Sequence, residues 1–216
     1  MNGEKTFDFS EQSLLSLRER VGTMMSEKRY AHTLAVERMV VRLGELYCPT
    51  LIPELRAAAL LHDITKEESL ENQLQLCQKF DIMLESTATL APKTLHARTA
   101  AARIPSEFEP FASETVVRAV RWHTTGCDDM TIADKLVYLA DYIDDSRKFA
   151  DCVRLREIFW GADPASMDEA ARLAHLRDVL ILSFDMTIRG LLEDGVPVSV
   201  YSIGARNALL LEKANA

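Results

Sequence analysis

The sequence lacks the features of a secreted, membrane or metal-ribbon protein. Its four cysteines, at 48, 77, 127 and 152, form no CxxC pair, so neither a zinc ribbon nor a dithiol redox motif is expected. The N-terminus "MNGEKTFDFS" lacks the apolar core of a signal peptide, and no apolar run approaches the roughly 20 residues of a membrane span. We therefore expect a cytoplasmic protein with free thiols and no membrane partner.

Basic residues are outnumbered by acidic ones. The chain has 25 Lys and Arg against 33 Asp and Glu, which gives a formal net charge of −8 and a pI near 5.2. This balance argues against a broad nucleic-acid-binding surface, so no nucleic-acid partner is expected. It leaves room for a small anionic ligand, provided that metals or a few local cations offset the repulsion.

Glycine and proline are also scarce, at 8 and 7 of the 216 residues, while 48% of the residues are hydrophobic. Leucine, alanine, glutamate and arginine dominate, which favours helices around a substantial core. "VPVSVY" is the only strand candidate, and it is short. We predict an all-α protein of one domain, or of one domain with an appendage. The predicted helices span residues 10–25, 29–47, 53–62, 66–80, 95–103, 113–123, 131–145, 150–159, 166–193 and 199–213.

Four of the five histidines stand on apolar faces of these predicted helices. His32 is followed by apolar residues at intervals of four, four, three and four, which is the spacing of one helix face. His62 ends the apolar run in "ALLHDITK", and Asp63 follows it directly. Burying such a pair is unfavourable unless the charge is paired or bound to a metal.

Two further histidines, His96 and His123, and a second aspartate, Asp141, stand on similar faces. A single histidine so placed is usually a packed core residue, and an aspartate near a helix end is usually a cap or a solvated charge. If all these faces converge in one bundle, however, they form the kind of metal site that helix bundles build. Imidazole and carboxylate ligands suit iron, manganese, zinc and related divalent metals. The fifth histidine, His175, lacks a similar setting and is expected to be structural.

The order of these residues resembles the HD superfamily of metal-dependent phosphohydrolases, in which a histidine, an adjacent His-Asp pair and a later aspartate follow one another. His96 and His123 resemble the additions of the six-ligand pattern of two-metal HD sites. Six segments resemble, in the same order, the YqeK family of HD-domain proteins, over roughly residues 29 to 210. They are "RYAHTLAVE", "AALLHDITKE", "LHAR", "RWHTTG", "DKLVYLADYID" and "ARNALL".

The resemblance implies an all-helical HD bundle. It places the HD domain with its C-terminal helices at residues 26–216 and leaves residues 1–25 as an N-terminal helical extension. The implied activity is symmetrical hydrolysis of diadenosine tetraphosphate to two ADP, so the expected partner is a dinucleoside polyphosphate or nucleotide. The implied cofactor is iron, at one or two ions, with manganese or cobalt as alternatives. The oligomeric state is left open, with a homodimer as one option.

The resemblance also assigns site residues by position. The implied metal ligands are His32, His62, Asp63, His96, His123 and Asp141. The implied nucleotide-binding residues are His32, His123, Thr124, Asp141, Arg147 and, in a segment that aligns more loosely, Val198, Tyr201 and Ile203. Gly126 is expected to end its helix in a left-handed conformation, which would free Thr124 to approach the ligand. One departure follows it: Cys127 stands where relatives often carry a basic residue, so a phosphate contact made there would be missing.

Within this pattern, Asp63 is placed to bridge two cations and to serve catalysis with Lys66. A bridged water would have a pKa near neutrality and would attack a phosphorus at the centre of the tetraphosphate. Lys66, one helical turn past Asp63, could stabilise charge on phosphoryl oxygens, or could be a solvated lysine. Arg147 could contact a terminal phosphate of one ADP half, or could be a surface arginine.

Two other functions stay open at this point. One is an HD phosphohydrolase that acts on another nucleotide, which the six candidate ligands do not exclude. The other is a non-catalytic nucleotide- or metal-binding module with a regulatory role. The six candidate ligands argue against that module, because binding alone needs no activated water.

Overall fold

The computed structural model describes residues 6–85 and 89–215. Within them the chain forms ten α-helices, four short 3-10 turns and no strand, which confirms the all-α prediction. Residues 1–5 of the predicted N-terminal extension, residues 86–88 and residue 216 lie outside the described residues. The helices are α1 (Glu11–Gly22), α2 (Glu27–Tyr47), α3 (Ile52–Leu61), α4 (Leu70–Lys79), α5 (Leu95–Glu107), α6 (Glu114–Trp122), α7 (Ile132–Ile143), α8 (Ala150–Gly161), α9 (Glu169–Glu193) and α10 (Val200–Ala214).

Many helix starts are encoded locally by a capping side chain. Ser10 caps α1, Ser26 caps α2 and Ser113 caps α6, each accepting a hydrogen bond from the backbone N–H three residues ahead. Thr131 and Asp134 form a reciprocal capping box at the start of α7. Because these side chains satisfy backbone donors that the first helical turn leaves free, the starts are specified by short sequence segments.

Two predicted segments differ from the structure. The fourth helix was expected to begin at residue 66, but residues 62–67 form turns and α4 begins only after its cap, Ser69. The Ser69 side chain accepts a hydrogen bond from the backbone N–H of Asn72, as an N-cap does. This cap places the start of the helix after residue 69. The strand candidate "VPVSVY" forms no strand, because Ser199 caps α10 and Val200 and Tyr201 are its first residues.

The helix α3 lies at the centre of the bundle. Its residues Leu55 and Ala57 to Leu61 are all buried, and it contacts α1, α2, α5, α6 and α7. Alanines let the neighbours approach closely, and Gly44 of α2 leaves no room for a side chain, since a Cβ there would lie 2.7 Å from Ile52. A helix that is apolar on all sides must be covered on all sides. The end of α3, where His62 and Asp63 follow, therefore lies inside the protein.

The remaining helices surround this centre. The first helix packs on α3, α4 packs on α5, and the long α9 contacts α7, α8 and α10. Within residues 6–85 and 89–215, every helix is too short or too polar to span a lipid bilayer.

Candidate metal centre

Five elements bring the six predicted metal ligands together at the end of α3. The ligands are His32 from α2, His62 and Asp63 after α3, His96 from α5, His123 after α6 and Asp141 from α7. All four imidazoles are at least nine-tenths buried. Neighbouring rings lie 4.9 to 5.6 Å apart between centroids, so the four form a continuous chain.

Three of the four histidines are oriented by the backbone. The Nδ1 atoms of His62, His96 and His123 lie 2.6, 2.7 and 2.7 Å from the carbonyl oxygen three residues earlier. Each Nδ1–H therefore donates to a carbonyl, which leaves the Nε2 lone pair pointing into the centre. This is the tautomer and the orientation that a metal-binding imidazole needs.

Asp63 stands between two sets of imidazoles. Its Oδ2 lies 3.3 Å from His62 Nε2, while its Oδ1 lies 3.2 Å from His96 Nε2 and 3.7 Å from His123 Nε2. On the Oδ2 side, His32 Nε2 is 2.9 Å from Asp141 Oδ1. The carboxylate thus turns Oδ2 towards one group of ligand atoms and Oδ1 towards the other.

The donor atoms of this centre fit divalent metal ions. Two groups have ligand atoms within 4.8 Å of one another: His32, His62 and Asp141, and His62, Asp63 and His123. Among the described residues, His62 Nε2 and Asp63 Oδ1 are buried without a hydrogen-bond partner. The Nε2 atoms of His96 and His123 are only 3.0 Å apart. Because both Nδ1 atoms carry the proton, these two lone pairs face each other, an arrangement that a cation would relieve.

The imidazoles differ in their affinity for protons. Burial lowers the pKa of His96 to about 3, assisted by the nearby Lys66 ammonium, and burial also lowers the pKa of His123. For His32, burial opposes protonation, but hydrogen bonds to Asp141 and Asp144 prevail and raise the pKa to about 9. At both ends of the cluster, the surroundings of the imidazole therefore determine its pKa.

The two carboxylates are held in the ionised state. Burial alone would raise the pKa of Asp63 and of Asp141. The imidazoles of His62 and His123 outweigh that effect at Asp63, and Arg147 and His32 outweigh it at Asp141, so both carboxyl pKa values lie well below their usual range. Anionic oxygen ligands are the form that a metal site needs.

The predicted catalytic residue Lys66 and the predicted substrate residues Thr124 and Arg147 lie at the rim of the centre. Lys66 is half-buried, with Nζ 3.1 Å from His96 Nε2, rather than solvated. The Thr124 hydroxyl lies 3.1 Å from His123 Nε2 and 3.2 Å from His96 Nε2. Arg147 donates to Asp141 Oδ1 at 2.5 Å and is 27% exposed, so it is not a free surface arginine.

Gly126 ends the turn after α6 as predicted, with φ +63° and its N–H bonded to the Trp122 carbonyl. A Cβ at this position would lie 2.7 Å from Phe184, so glycine is required both by the backbone and by the packing. The next residue, Cys127, is buried, and burial raises the pKa of its thiol to about 12. Arg118 of α6 lies beside this position, with Nη2 donating to Cys127 Sγ at 3.4 Å.

The predicted C-terminal substrate residues lie just before and within the first turns of α10. The Tyr201 ring packs 5.0 Å from the ring of Trp122, the residue before His123. Val198 is half-buried and Ile203 is 42% exposed. His175 lies apart, with Nε2 3.0 Å from the Phe159 carbonyl, in agreement with its predicted structural role.

Sequence reasoning missed three side chains in the second layer. Arg29 donates to Asp63 Oδ2 at 2.7 Å. Asp144 and Ser146 face the other ring nitrogen of His32, at 3.4 and 3.1 Å from Nδ1. Arg29 stands one helical turn before His32, and this spacing could have indicated it. Asp144 and Ser146 lie in a turn after α7, where no periodicity points to His32.

Comparison with known proteins identifies the class. The sequence model of the HD-domain family matches residues 29–145, which is more than half of the chain. The chain therefore belongs to the HD-domain family. Relatives carry the name symmetrical bis(5'-nucleosyl)-tetraphosphatase, which confirms the resemblance seen in the sequence. The one from Staphylococcus aureus is 28% identical over 73% of this chain and 79% of its own. Those from Halalkalibacterium halodurans and Bacillus subtilis are each 28% identical, over 88% and 82% of this chain and 92% and 87% of their own.

A solved structure has the same fold. It is described as a predicted HD superfamily hydrolase involved in NAD metabolism from Clostridium acetobutylicum. It superimposes with a TM-score of 0.77 and 28% identity, over 91% of this chain and 96% of its own. The likeness therefore extends beyond the matched HD segment to the C-terminal helices.

Proposed function

We propose that this protein is a metal-dependent hydrolase that splits diadenosine tetraphosphate symmetrically into two ADP. One observation carries the proposal: Asp63 faces His62 with Oδ2, at 3.3 Å, and His96 with Oδ1, at 3.2 Å. A carboxylate so placed can bridge two ions, as hydrolytic two-metal sites require. The names of the three tetraphosphatase relatives support the choice of substrate.

The residues would divide between two ions. With Asp63 shared between them, His32, His62 and Asp141 would hold one, and His96 and His123 would hold the other. Iron is the proposed metal, with manganese or cobalt as alternatives that the same donors accept. When bound, such ions would polarise a phosphoryl oxygen and lower the pKa of a coordinated water towards neutrality.

The proposed reaction adds water across the central anhydride of the tetraphosphate. A bond forms between the water oxygen and one central phosphorus, and the bond from that phosphorus to the central bridging oxygen breaks. Both water protons pass to solvent as the two new terminal phosphates ionise, and both products are ADP. Since the chain carries a net charge of −8, the tetra-anion must be gripped by local cations at the centre.

Lys66 and Arg147 are the proposed cations. Burial lowers the pKa of Lys66, and the carboxylates of Asp63 and Asp141 partly oppose that shift. Lys66 is placed to stabilise charge that develops on phosphoryl oxygens. Arg147 binds Asp141 with Nη2 and Nε and is still 27% exposed, so a terminal phosphate of an ADP half can share its guanidinium.

Thr124 and the start of α10 complete the proposed substrate site. The Thr124 hydroxyl is a donor within 3.2 Å of two ligand rings, where it can reach a phosphoryl oxygen. Val198, Tyr201 and Ile203 would contact the nucleoside, since all three side chains are partly exposed and the Tyr201 ring packs against Trp122.

Product analysis tests the proposal. Diadenosine tetraphosphate is incubated with the iron-, manganese- or cobalt-loaded protein in water enriched in oxygen-18, and products are separated by anion exchange. We expect ADP alone, with one heavy oxygen in half of the molecules. Asp63→Asn should be inactive, whereas Asp145→Asn, a matched change at a side chain that is 65% exposed, should behave as wild type.

The same experiment separates the alternatives. Equal amounts of ATP and AMP would mean that water attacks an outer phosphorus, and the symmetrical cleavage would be wrong. Turnover of a different nucleotide in a substrate panel, without turnover of the tetraphosphate, would favour another HD phosphohydrolase. Tight binding of metal and nucleotide without any product would favour a regulatory module.

We also expect a cytoplasmic location and no nucleic-acid binding, and these stay predictions. A homodimer is a further option, which sedimentation of the metal-loaded protein would test.

A further inference from the structure

The four histidines of the centre are not supported in the same way. His62 and His123 follow the last turns of α3 and α6, and His96 opens α5. The last carbonyls of α3 and α6 lack amide partners, and Lys93 precedes α5, so each ring finds a carbonyl three residues earlier. His32 lies inside α2, where the preceding carbonyls are already bonded to helix amides. Its Nδ1 therefore needs a partner from elsewhere in the fold.

Asp144 and Ser146 supply that partner. Asp144 Oδ2 lies 3.4 Å and Ser146 Oγ 3.1 Å from His32 Nδ1, across more than a hundred residues of chain. On the opposite side of the ring, His32 Nε2 lies 2.9 Å from Asp141 Oδ1. The ring is thus held between a carboxylate of the centre and a carboxylate behind it.

Asp144 is itself firmly placed. Its side chain is fully buried, and its Oδ1 accepts hydrogen bonds from the backbone N–H and the hydroxyl of Ser146. Arg147 Nε lies 3.5 Å from Oδ2, and Arg156 donates to the backbone carbonyl of Asp144. No described residue other than His32 approaches Oδ2 in hydrogen-bond geometry, which leaves this oxygen facing the imidazole. A buried carboxylate with one oxygen reserved for a histidine is unfavourable for the fold alone.

We propose that Asp144 is a positioning residue that fixes His32 with Nε2 turned towards the metal centre, in the place that a backbone carbonyl takes for the other three histidines. A carboxylate behind a ligating histidine fixes its tautomer and raises its basicity as a ligand. The inference rests on the proposed metal centre, but not on the identity of the substrate.

The test measures metal affinity directly. Mn²⁺ binding to the metal-free full chain is followed by the electron paramagnetic resonance signal of the free ion. We expect Asp144→Asn to weaken binding at the His32 site by about 10- to 100-fold, the usual effect of losing an outer partner. The adjacent Asp145→Asn, at an exposed side chain, is the matched control and should bind like wild type.

A double-variant cycle distinguishes positioning from a general effect on folding. In a His32→Ala background, Asp144→Asn should weaken Mn²⁺ binding no further, because the ring on which it acts is gone. Ser146→Ala, a milder change at an exposed residue, should weaken binding by a smaller factor and only when His32 is present. The second variant keeps the test valid if Asp144→Asn folds poorly.

The outcomes are distinct. Wild-type affinity in both Asp144→Asn and Ser146→Ala would overturn the positioning role and leave the proposed function intact. Equal losses with and without His32 would assign Asp144 to the fold instead. Failure of the wild-type chain to bind Mn²⁺, iron or cobalt would overturn the metal centre and this inference together.

Discussion

The candidate centre has two halves that use the same kind of side chain in opposite electrostatic states. We call His96 and His123 the neutral half, because burial lowers the pKa of both rings. The charged half consists of His32, Asp141, Asp144 and Arg147, where carboxylates raise the pKa of His32 to about 9. His62 and Asp63 lie between the halves and contact both.

The comparison shows that neighbours, rather than residue type, set the state of each ring. In the neutral half two lone pairs face each other at 3.0 Å, and a bound cation would remove that conflict. In the charged half, Arg147 and protonated His32 already compensate the two aspartates. We therefore expect the neutral half to depend on metal for its stability, while the charged half is balanced without it.

The largest effect is expected where the halves meet. Asp63→Asn removes one negative charge from a position that faces both groups of imidazoles. Both halves of the centre should therefore lose metal. Hydrolysis should fall by roughly 1,000-fold or more, since loss of a ligand exceeds the 10- to 100-fold effect of an outer partner. Metal content and product formation measure this, and circular dichroism should show near-native helix content. Full activity in the variant would rule out the proposed centre.

A change confined to the neutral half should separate the two ions. His123→Gln or His96→Gln should lower the metal stoichiometry or affinity, with a loss of activity of about 100-fold. Folding stability of the metal-free variants should change much less. Elemental analysis of protein purified without chelator is the measurement. If both variants kept the metal content of wild type, a two-ion centre would be wrong, although a single ion could remain.

The halves should also respond to pH in opposite directions in chelator-treated protein. The pKa of His32 is raised from 6.5 to about 9, so its stabilisation is complete below pH 6.5 and is lost as pH rises towards 9. The pKa of His96 is lowered to about 3, so its contribution is present above pH 6.5 and is lost as pH falls. Each effect should amount to roughly 1–3 kcal/mol in the free energy of unfolding.

Urea unfolding at several pH values tests this pair of effects. His32→Gln should flatten the loss of stability on the alkaline side, and His96→Gln should flatten it on the acid side. Identical pH profiles for the two variants would contradict the assignment of opposite states to the two halves.

The smallest effect concerns the edge of the charged half. Arg147→Gln should weaken inhibition by ADP and substrate binding by about tenfold, the loss of one charge-assisted contact. Lys148→Gln, at an exposed neighbouring cation, is the control and should leave both unchanged. Unchanged ADP affinity in Arg147→Gln would restrict this arginine to holding Asp141.

Much of the fold was predictable because its signals are local. Helical spacing of apolar residues predicted where the helices lie, and the caps Ser10, Ser113 and Thr131 set their starts within short segments. The errors occurred where a local competitor was overlooked, as at Ser69, which delays α4 and leaves Lys66 in a turn. The same spacing placed the six candidate ligands on inward faces, since a residue in register with buried leucines must also be buried.

The sequence by itself thus determined the helices, the inward direction of four histidines and two aspartates, and the family. Only the tertiary structure decided which oxygen of Asp63 faces which ring, that Arg29 holds Asp63, and that Asp144 stands behind His32. The reason is physical: hydrogen bonds and pKa values depend on distances of a few ångströms between side chains from different helices. Periodicity along one helix carries no information about those distances.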